Sequence, residues 1–355
     1  MIASFGEIAC CIRGSGMAET VLVTGGTGFV AGWCIVKLLE RGYRVRATLR
    51  SLDKQPAARA AIETETAPGE RLNFVAADLL SDKGWDEAMH GVSFVLHVAS
   101  PLSGGTPGDR MSLVAPARDG TLRVLRAAVK AGVKRVVMTS AAATTRQRLG
   151  TDVVADETMW ADENDPQFDA YRVSKIMAEK AAWDFMRAEG RKTEFTTILP
   201  GAIFGPVLTR EGLGSVKIIA DLLNGSPRLV PKLGLWIVDV RDLADLHVAA
   251  MESKYAPGQR FYGVGEFMWM DDMARMMHER LGSIGAKVPT RSLPGWLVKL
   301  VAPFNANIGG LTPMIGRKFE LDAGKASRDL GFTPRPAQET LLDCSRSLQA
   351  KRVSG

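Results

Sequence analysis

Cysteine is scarce: four residues in a chain of 355, Cys10, Cys11, Cys34 and Cys344. None of them stands at metal-ligand spacing from another, which speaks against a cysteine-held metal and fits reduced thiols in a cytoplasmic protein. Long apolar runs are absent too. A membrane helix needs about 20 predominantly apolar residues, and the longest candidate, residues 293–304, is short and contains Lys299. Residues 1–16 lack the basic start and apolar centre of a secretory signal. They are expected to form a disordered extension, with Met17 as an alternative natural start. A block of one charge is also missing. The net charge is +6, but the 45 Lys and Arg are interleaved with 39 Asp and Glu, so a solvated basic surface is expected rather than a nucleic-acid face. Neither nucleic acid nor membrane is therefore expected as a partner.

What is present is enough apolar material, 46% of residues, for one large domain or two closely joined ones. Its most informative stretch is Thr20-Val21-Leu22-Val23 followed by Thr24-Gly25-Gly26-Thr27-Gly28-Phe29-Val30-Ala31. This is a short strand, a tight turn and the start of an apolar-periodic helix. Gly26-x-Gly28-x-x-Ala31 fits the dinucleotide fingerprint, in which residues without bulk let the backbone turn sharply and approach a pyrophosphate. A helix beginning near Gly28 points its free N–H groups at that phosphate.

A second strand over residues 43–49 ends in Thr48-Leu49-Arg50-Ser51, with Lys54 following. An NAD-preferring site places an acid here, about 20 residues after the glycines, for the ribose 2′-hydroxyl. A guanidinium instead pairs with a 2′-phosphate, so NADPH is the expected cofactor. Further strands are expected over residues 72–76, 93–98 and 135–139, with a long helix over about 109–131. Strands alternating with helices imply a doubly wound parallel sheet covered on both faces, the Rossmann-type α/β class. Ligands bind such sheets at the carboxyl ends of strands, which places Asp78, Ala99, Ser100, Thr139 and Ser140 on the cofactor edge. His97, inside an apolar strand, reads as a satisfied core histidine.

Tyr171 and Lys175 lie four residues apart at the start of a helical pattern, hence on one face. An ammonium beside a phenol stabilises the phenolate, so the pair is expected to lower the tyrosine pKa and make it an acid or base. Residues 238–242 are expected to start a helix and join domains. The stripe Met268, Trp269, Met270, Met273, Met276 and Met277 reads as core. Residues 294–301 read as a short amphipathic helix over the lid.

Thr24-Gly25-x-x-Gly28-x-x-Ala31 and Tyr171-x-x-x-Lys175 together resemble the two signatures of the short-chain dehydrogenase/reductase superfamily, in its extended branch. Ala47-Thr48-Leu49-Arg50, His97-Val98-Ala99-Ser100-Pro101, Leu199-Pro200-Gly201-Ala202-Ile203-Phe204-Gly205-Pro206, Val238-Asp239-Val240-Arg241-Asp242-Leu243-Ala244 and Leu330-Gly331-Phe332-Thr333-Pro334-Arg335-Pro336 are similar to the dihydroflavonol-reductase-like aldehyde and ketone reductases. The likeness spans about residues 18–345.

It implies a Rossmann domain over 17–200 and 236–262, and a smaller, discontinuous substrate lid over 201–235 and 263–345. Cofactor contacts are implied at Gly25, Thr27, Gly28, Phe29, Val30, Arg50, Lys54, Asp78, Leu79, Val98, Ala99, Ser100, Tyr171, Lys175, Pro200 and Ile203. No metal is implied. Tyr171 becomes the proton donor, and Lys175 lowers its pKa and binds the nicotinamide ribose. One departure stands out: Ala141 occupies the slot of the serine that holds the substrate carbonyl, so Ser140, ahead of Thr144, is expected to supply that hydroxyl.

The expected activity is NADPH-dependent reduction of an aldehyde or ketone, expected to be apolar or aromatic because the lid is rich in Leu, Met and Trp, by a monomer or homodimer. Two alternatives remain. A nucleotide-sugar epimerase or dehydratase of the same fold, holding NAD, is opposed by the basic end of the second strand. A non-catalytic dinucleotide-binding regulator is suggested by Ala141 and opposed by the intact Tyr171 and Lys175.

Overall fold

In a computed structural model, the structure describes residues 19–101, 109, 111–147, 153–189, 192–209, 213–294, 297–298 and 314–353. The extension over residues 1–16, the alternative start at Met17, and most of the amphipathic helix expected over 294–301 lie outside the described residues.

The chain opens as expected with β1 (Thr20–Val23) and α1 (Phe29–Glu40). The sequence makes α1 apolar nearly all round, with Ala31, Trp33, Cys34, Ile35, Val36, Leu38 and Leu39 buried. Such a helix has to be covered on two sides. The sheet covers one, and α7 (Val240–Glu252) the other. Burial pushes the Cys34 thiol pKa far up, so it is an inert core residue.

β2 (Arg44–Leu49) and α2 (Gln55–Glu63) follow, then β3 (Leu72–Ala76), α3 (Trp85–Met89), β4 (Phe94–His97), α4 (Val114–Lys130) and β5 (Arg135–Thr139). After a 3₁₀ turn over Ala142–Thr145 come α5 (Ala170–Glu189) and β6 (Glu194–Pro200). The expected strands at residues 72–76 and 135–139 match to the residue, and that at 93–98 loses a residue at each end.

With β9 (Arg260–Gly263), these strands form one seven-stranded parallel sheet in the order β3-β2-β1-β4-β5-β6-β9. The fold is the expected doubly wound Rossmann-type α/β class. Its inner strands read as unbroken apolar runs because both faces are covered: Val21, Leu22, Val23, Val136 and Val137 are fully buried. Strand order reverses between β1 and β4, the crevice where such sheets bind ligands.

A second, three-stranded sheet joins β7 (Ala202–Phe204), β8 (Gly234–Asp239) and β10 (Phe267–Trp269) in the order β10-β8-β7. α6 (Val216–Leu223), α8 (Met270–Arg280) and the terminal α10 (Ala337–Val353), which follows α9 (Gly324–Leu330), pack around it. The expected return of the chain at residue 236 is thus split: β8 stays in the small sheet, and only α7 packs back on α1. Met270, Met273 and Met277 are buried in the second core, and Met268 and Met276 pack against it.

The run at residues 238–242 acts as a helix start and a joint between the two layers. Asp239 caps α7 through the Arg241 amide at 2.8 Å. The Arg241 guanidinium reaches Asp343 on α10, and Arg335 reaches Asp242 at 2.6 Å.

Candidate active site

The glycine turn is locked between strand ends by two threonines. Gly25 adopts φ +76°, a left-handed conformation that a side chain would strain, and its N–H donates to Thr48 Oγ1 at 3.0 Å. The Gly26 amide donates to the Thr48 carbonyl at 2.8 Å, and a Cβ on Gly26 would lie 2.9 Å from that of Ala47. Thr24 Oγ1 accepts the amides of Val98 and Ala99, each at 3.0 Å, and donates its own proton to His97 Nδ1 at 3.0 Å. That bond leaves the imidazole proton on Nε2. Burial and the charge of Lys175 lower the His97 pKa to about 3, so the ring is the neutral, satisfied core histidine expected.

α1 starts at Gly28 with no side-chain cap, which leaves its first N–H groups for an anion. A cavity of about 270 Å³ opens beside the turn, lined by Gly26, Thr27, Gly28, Phe29 and Gly32, by Lys54, Ala57, Ala58, Ala61 and Ile62, and by Leu208 and Thr209. Arg50 and Lys54 are exposed where β2 ends. The nearest acid, Asp53, is engaged by the Ser51 hydroxyl at 2.8 Å. At the next strand ends Asp78 accepts the Leu80 amide, and Leu79 is held through its carbonyl by Arg123. Ser100 is half-buried, as are Val98, Ala99 and Ile203, while Pro200 is buried at the end of β6. An uncapped helix start, a turn without side-chain bulk and two cations at the end of β2 suit a phosphorylated dinucleotide.

Tyr171 and Lys175 occupy the first turns of α5, whose N-terminus is capped by Asp169 through the Arg172 amide at 2.8 Å. Lys175 is buried, which lowers its pKa to about 8 against the opposing pull of Glu179. The expected depression of the Tyr171 pKa is not seen: it is raised. Desolvation dominates, with Arg172 pulling it down and Asp169 pushing it up. The residue as a whole is 41% exposed, so the desolvation is not that of a core side chain.

The two hydroxyls weighed for the carbonyl are both committed elsewhere. Ser140 is buried and donates to Glu179 Oε2 at 2.6 Å. Thr144 donates to the Ala141 carbonyl at 2.9 Å and accepts from Arg260 Nη2 at 2.9 Å. Ser140 therefore has no proton to offer a substrate, because a buried carboxylate needs it more. Ala141, at the serine slot, is almost fully buried.

Glu179 and Arg260 were not anticipated, and they organise this end of the sheet. Glu179, fully buried, accepts from Ser140, from Thr197 at 2.8 Å and from Arg260 Nε at 2.9 Å. Arg260 also donates to the carbonyls of Glu157 and Met159 and lies 3.8 Å from the Trp160 ring centre. The pair ties β5, β6, β9 and the 157–160 loop to the helix that carries Tyr171. The signal was available: Glu179 continues the four-residue spacing of Tyr171 and Lys175, and Arg260 is a charged residue opening the short buried strand β9.

The NAD dependent epimerase/dehydratase family model matches residues 21–265. The chain belongs to this family. Within the epimerase/dehydratase family it is 36% identical over 340 residues to cinnamoyl-CoA reductase 1 of Petunia hybrida, covering 94% of this chain and 93% of that protein. It is 34% identical over 302 residues to a ketoreductase of Aspergillus niger, covering 78% and 87%. Among solved structures, the yeast methylglyoxal/isovaleraldehyde reductase complexed with NADPH superposes with a TM-score of 0.78 at 25% identity, covering 94% of this chain and 100% of that one. These matches place this family member among the oxidoreductases of the extended short-chain dehydrogenase/reductase branch, as its motifs implied. No described helix is long and apolar enough to cross a membrane, and no described group of His, Cys, Asp or Glu is arranged to hold a metal.

Proposed function

We propose that the chain is an NADPH-dependent reductase of aldehydes or ketones, with Tyr171 as the proton donor. The observation that carries this reading is the pairing of Tyr171 and Lys175 on α5 with a glycine turn whose nearby strand end offers Arg50 and Lys54 instead of a free acid. The sequence relatives and structural neighbours, named as reductases and in one case complexed with NADPH, support it.

NADPH supplies the hydride that arrives on the carbonyl carbon. The chain's part is to bind, orient and protonate. The amides of the turn and of the first residues of α1 face the pyrophosphate, and Arg50 and Lys54 pair with the 2′-phosphate. Lys175, an ammonium at neutral pH, holds the nicotinamide ribose. Tyr171 delivers its proton to the carbonyl oxygen, and a raised pKa keeps that proton in place until it is needed. With Ala141 in the serine slot, the carbonyl oxygen is oriented by Tyr171 without a second hydroxyl. The reverse reaction needs the phenolate, so the rate of alcohol oxidation is expected to rise with pH.

The test is NADPH oxidation followed across a panel of aldehydes and ketones, with NADH in parallel. Tyr171→Phe is expected to lower kcat by about 10²- to 10⁴-fold while NADPH still binds. Full activity in that variant would overturn the assignment of the proton donor.

A further inference from the structure

Arg146 ends the 3₁₀ turn over Ala142–Thr145, five residues beyond Ala141. Its guanidinium carbon lies 3.8 Å from the ring centre of Phe319 and 5.7 Å from that of Phe168. Phe168 precedes Tyr171 by three residues. Phe319 belongs to the segment whose backbone pairs with the small-sheet layer at Leu233↔Ile315 and receives the Trp236 indole N–H on its own carbonyl. Arg146 therefore sits in the seam between the two layers, next to the residues that lead into the first turn of α5.

Phe319 stacks closely on the guanidinium and Phe168 lies further off, and neither ring supplies a hydrogen-bond acceptor to its N–H groups. Nε is buried without a hydrogen-bond partner, one of two such side-chain atoms among the described residues. No described carboxylate lies within ion-pair distance of it. Asp169, the acid nearest in sequence to Tyr171, is engaged by the Arg172 guanidinium at 2.6 Å and the Arg172 amide. Burial, and after it the second positive charge of Arg172, lowers the Arg146 pKa to about 10 against the opposing pull of Asp165 and Asp169. A clasp serving only to join the layers through ring contacts has no use for an unpaired, desolvated N–H, which is costly to keep. An anion-binding group does, because the planar fork of donors matches a carboxylate in two parallel hydrogen bonds.

We propose that Arg146 binds a carboxylate carried by the carbonyl substrate, so that the enzyme prefers oxo acids to the corresponding neutral carbonyl compounds. The substrate class rests on the reductase reading above, while the anion site itself does not. Reduction of such an acid consumes one NADPH and one proton. Hydride forms the new C–H bond, the Tyr171 proton forms the O–H bond of the hydroxy acid, and the carboxylate is unchanged.

Benzoylformate and its methyl ester are suitable probes, since they share the reacting ketone and aryl group and differ in the charge that Arg146 would read and in one methyl group. In steady-state reduction with NADPH, the acid-to-ester ratio of kcat/KM is expected to fall at least 10-fold in Arg146→Met, mainly through KM for the acid. Arg146→Lys, which keeps the charge and much of the size, is expected to recover part of that loss. An unchanged ratio in Arg146→Met would overturn the proposal. Calorimetric titration of benzoylformate into the NADPH-loaded protein separates the anion site from turnover. Binding by the wild type that weakens at least 10-fold in Arg146→Met, with neither probe reduced, keeps the carboxylate site and sinks the reductase reading. No binding of the acid by the wild type, or equal binding by Arg146→Met, sinks the site whatever the enzyme reduces.

Discussion

At the scale of single residues, the candidate site is governed by where charge is desolvated. Lys175 has its pKa lowered to about 8 from 10.5 by burial. Between those values the unfolded chain binds more protons than the folded one, so the stability cost of this lysine is full below pH 8 and fades as the pH rises towards 10.5. Lys175→Met is therefore expected to raise the unfolding free energy at pH 7, by up to roughly 3 kcal/mol, and to lose that advantage by about pH 10.5, while turnover falls sharply. Thermal unfolding of both proteins at pH 7 and pH 10 reads the difference, and an equal gain at both values would contradict the desolvation account. Ala141 makes the opposite case, a missing group. Restoring a hydroxyl with Ala141→Ser gives the developing oxyanion a second donor, and kcat for NADPH-dependent reduction is expected to rise by about 3- to 10-fold. An unchanged or lower kcat would show that the pocket has no place for that donor.

At the scale of elements, the proposed function assigns cofactor choice to the connection between β2 and α2. Ser51 caps the turn there and donates to Asp53, while Arg50 and Lys54 are exposed on either side of it. Replacing either by alanine is expected to lower the preference for NADPH over NADH by about 10-fold, in line with the loss of one charge-assisted hydrogen bond. Fluorescence titration of both cofactors measures it, and an unchanged preference would move the 2′-phosphate elsewhere. This connection was legible in the sequence because its signal is local: a strand end, a basic residue and a distance from the glycines. The carbonyl-holding hydroxyl was not. Ser140 lies at the expected strand end, but its proton goes to Glu179, a residue 39 positions away that only the fold brings to it.

At the scale of the whole molecule, the two layers share apolar packing at Leu208, Val238 and Phe29 and are tied by strongly polar contacts. Arg335 binds Asp242 through its amide at 2.8 Å and its guanidinium at 2.6 Å, Arg241 spans from Asp239 to Asp343, and the Trp33 indole donates to the Pro206 carbonyl at 2.8 Å. Arg335→Met leaves Asp242 short of partners at a largely buried position and is expected to cost about 1–3 kcal/mol. Urea unfolding gives the loss, and hydrogen exchange is expected to speed up first in α10, which the contact holds in place. A uniform acceleration across the seven-stranded sheet would instead show that the two layers unfold as one unit.

The sequence by itself determined the parallel sheet, the glycine turn, the basic end of β2 and the i, i+4 placement of Tyr171 and Lys175. Each of these is encoded by neighbours in the chain, through periodicity, glycine positions and helix spacing. Only the tertiary structure decided the electrostatic state of those groups. The Tyr171 pKa is raised because desolvation outweighs the nearby Arg172, Ser140 is consumed by the buried Glu179 and Arg260 pair, and Arg146 is left with an unpaired Nε beside two aromatic rings. Burial and long-range charge are properties of what surrounds a side chain in three dimensions, and a linear pattern carries no measure of either.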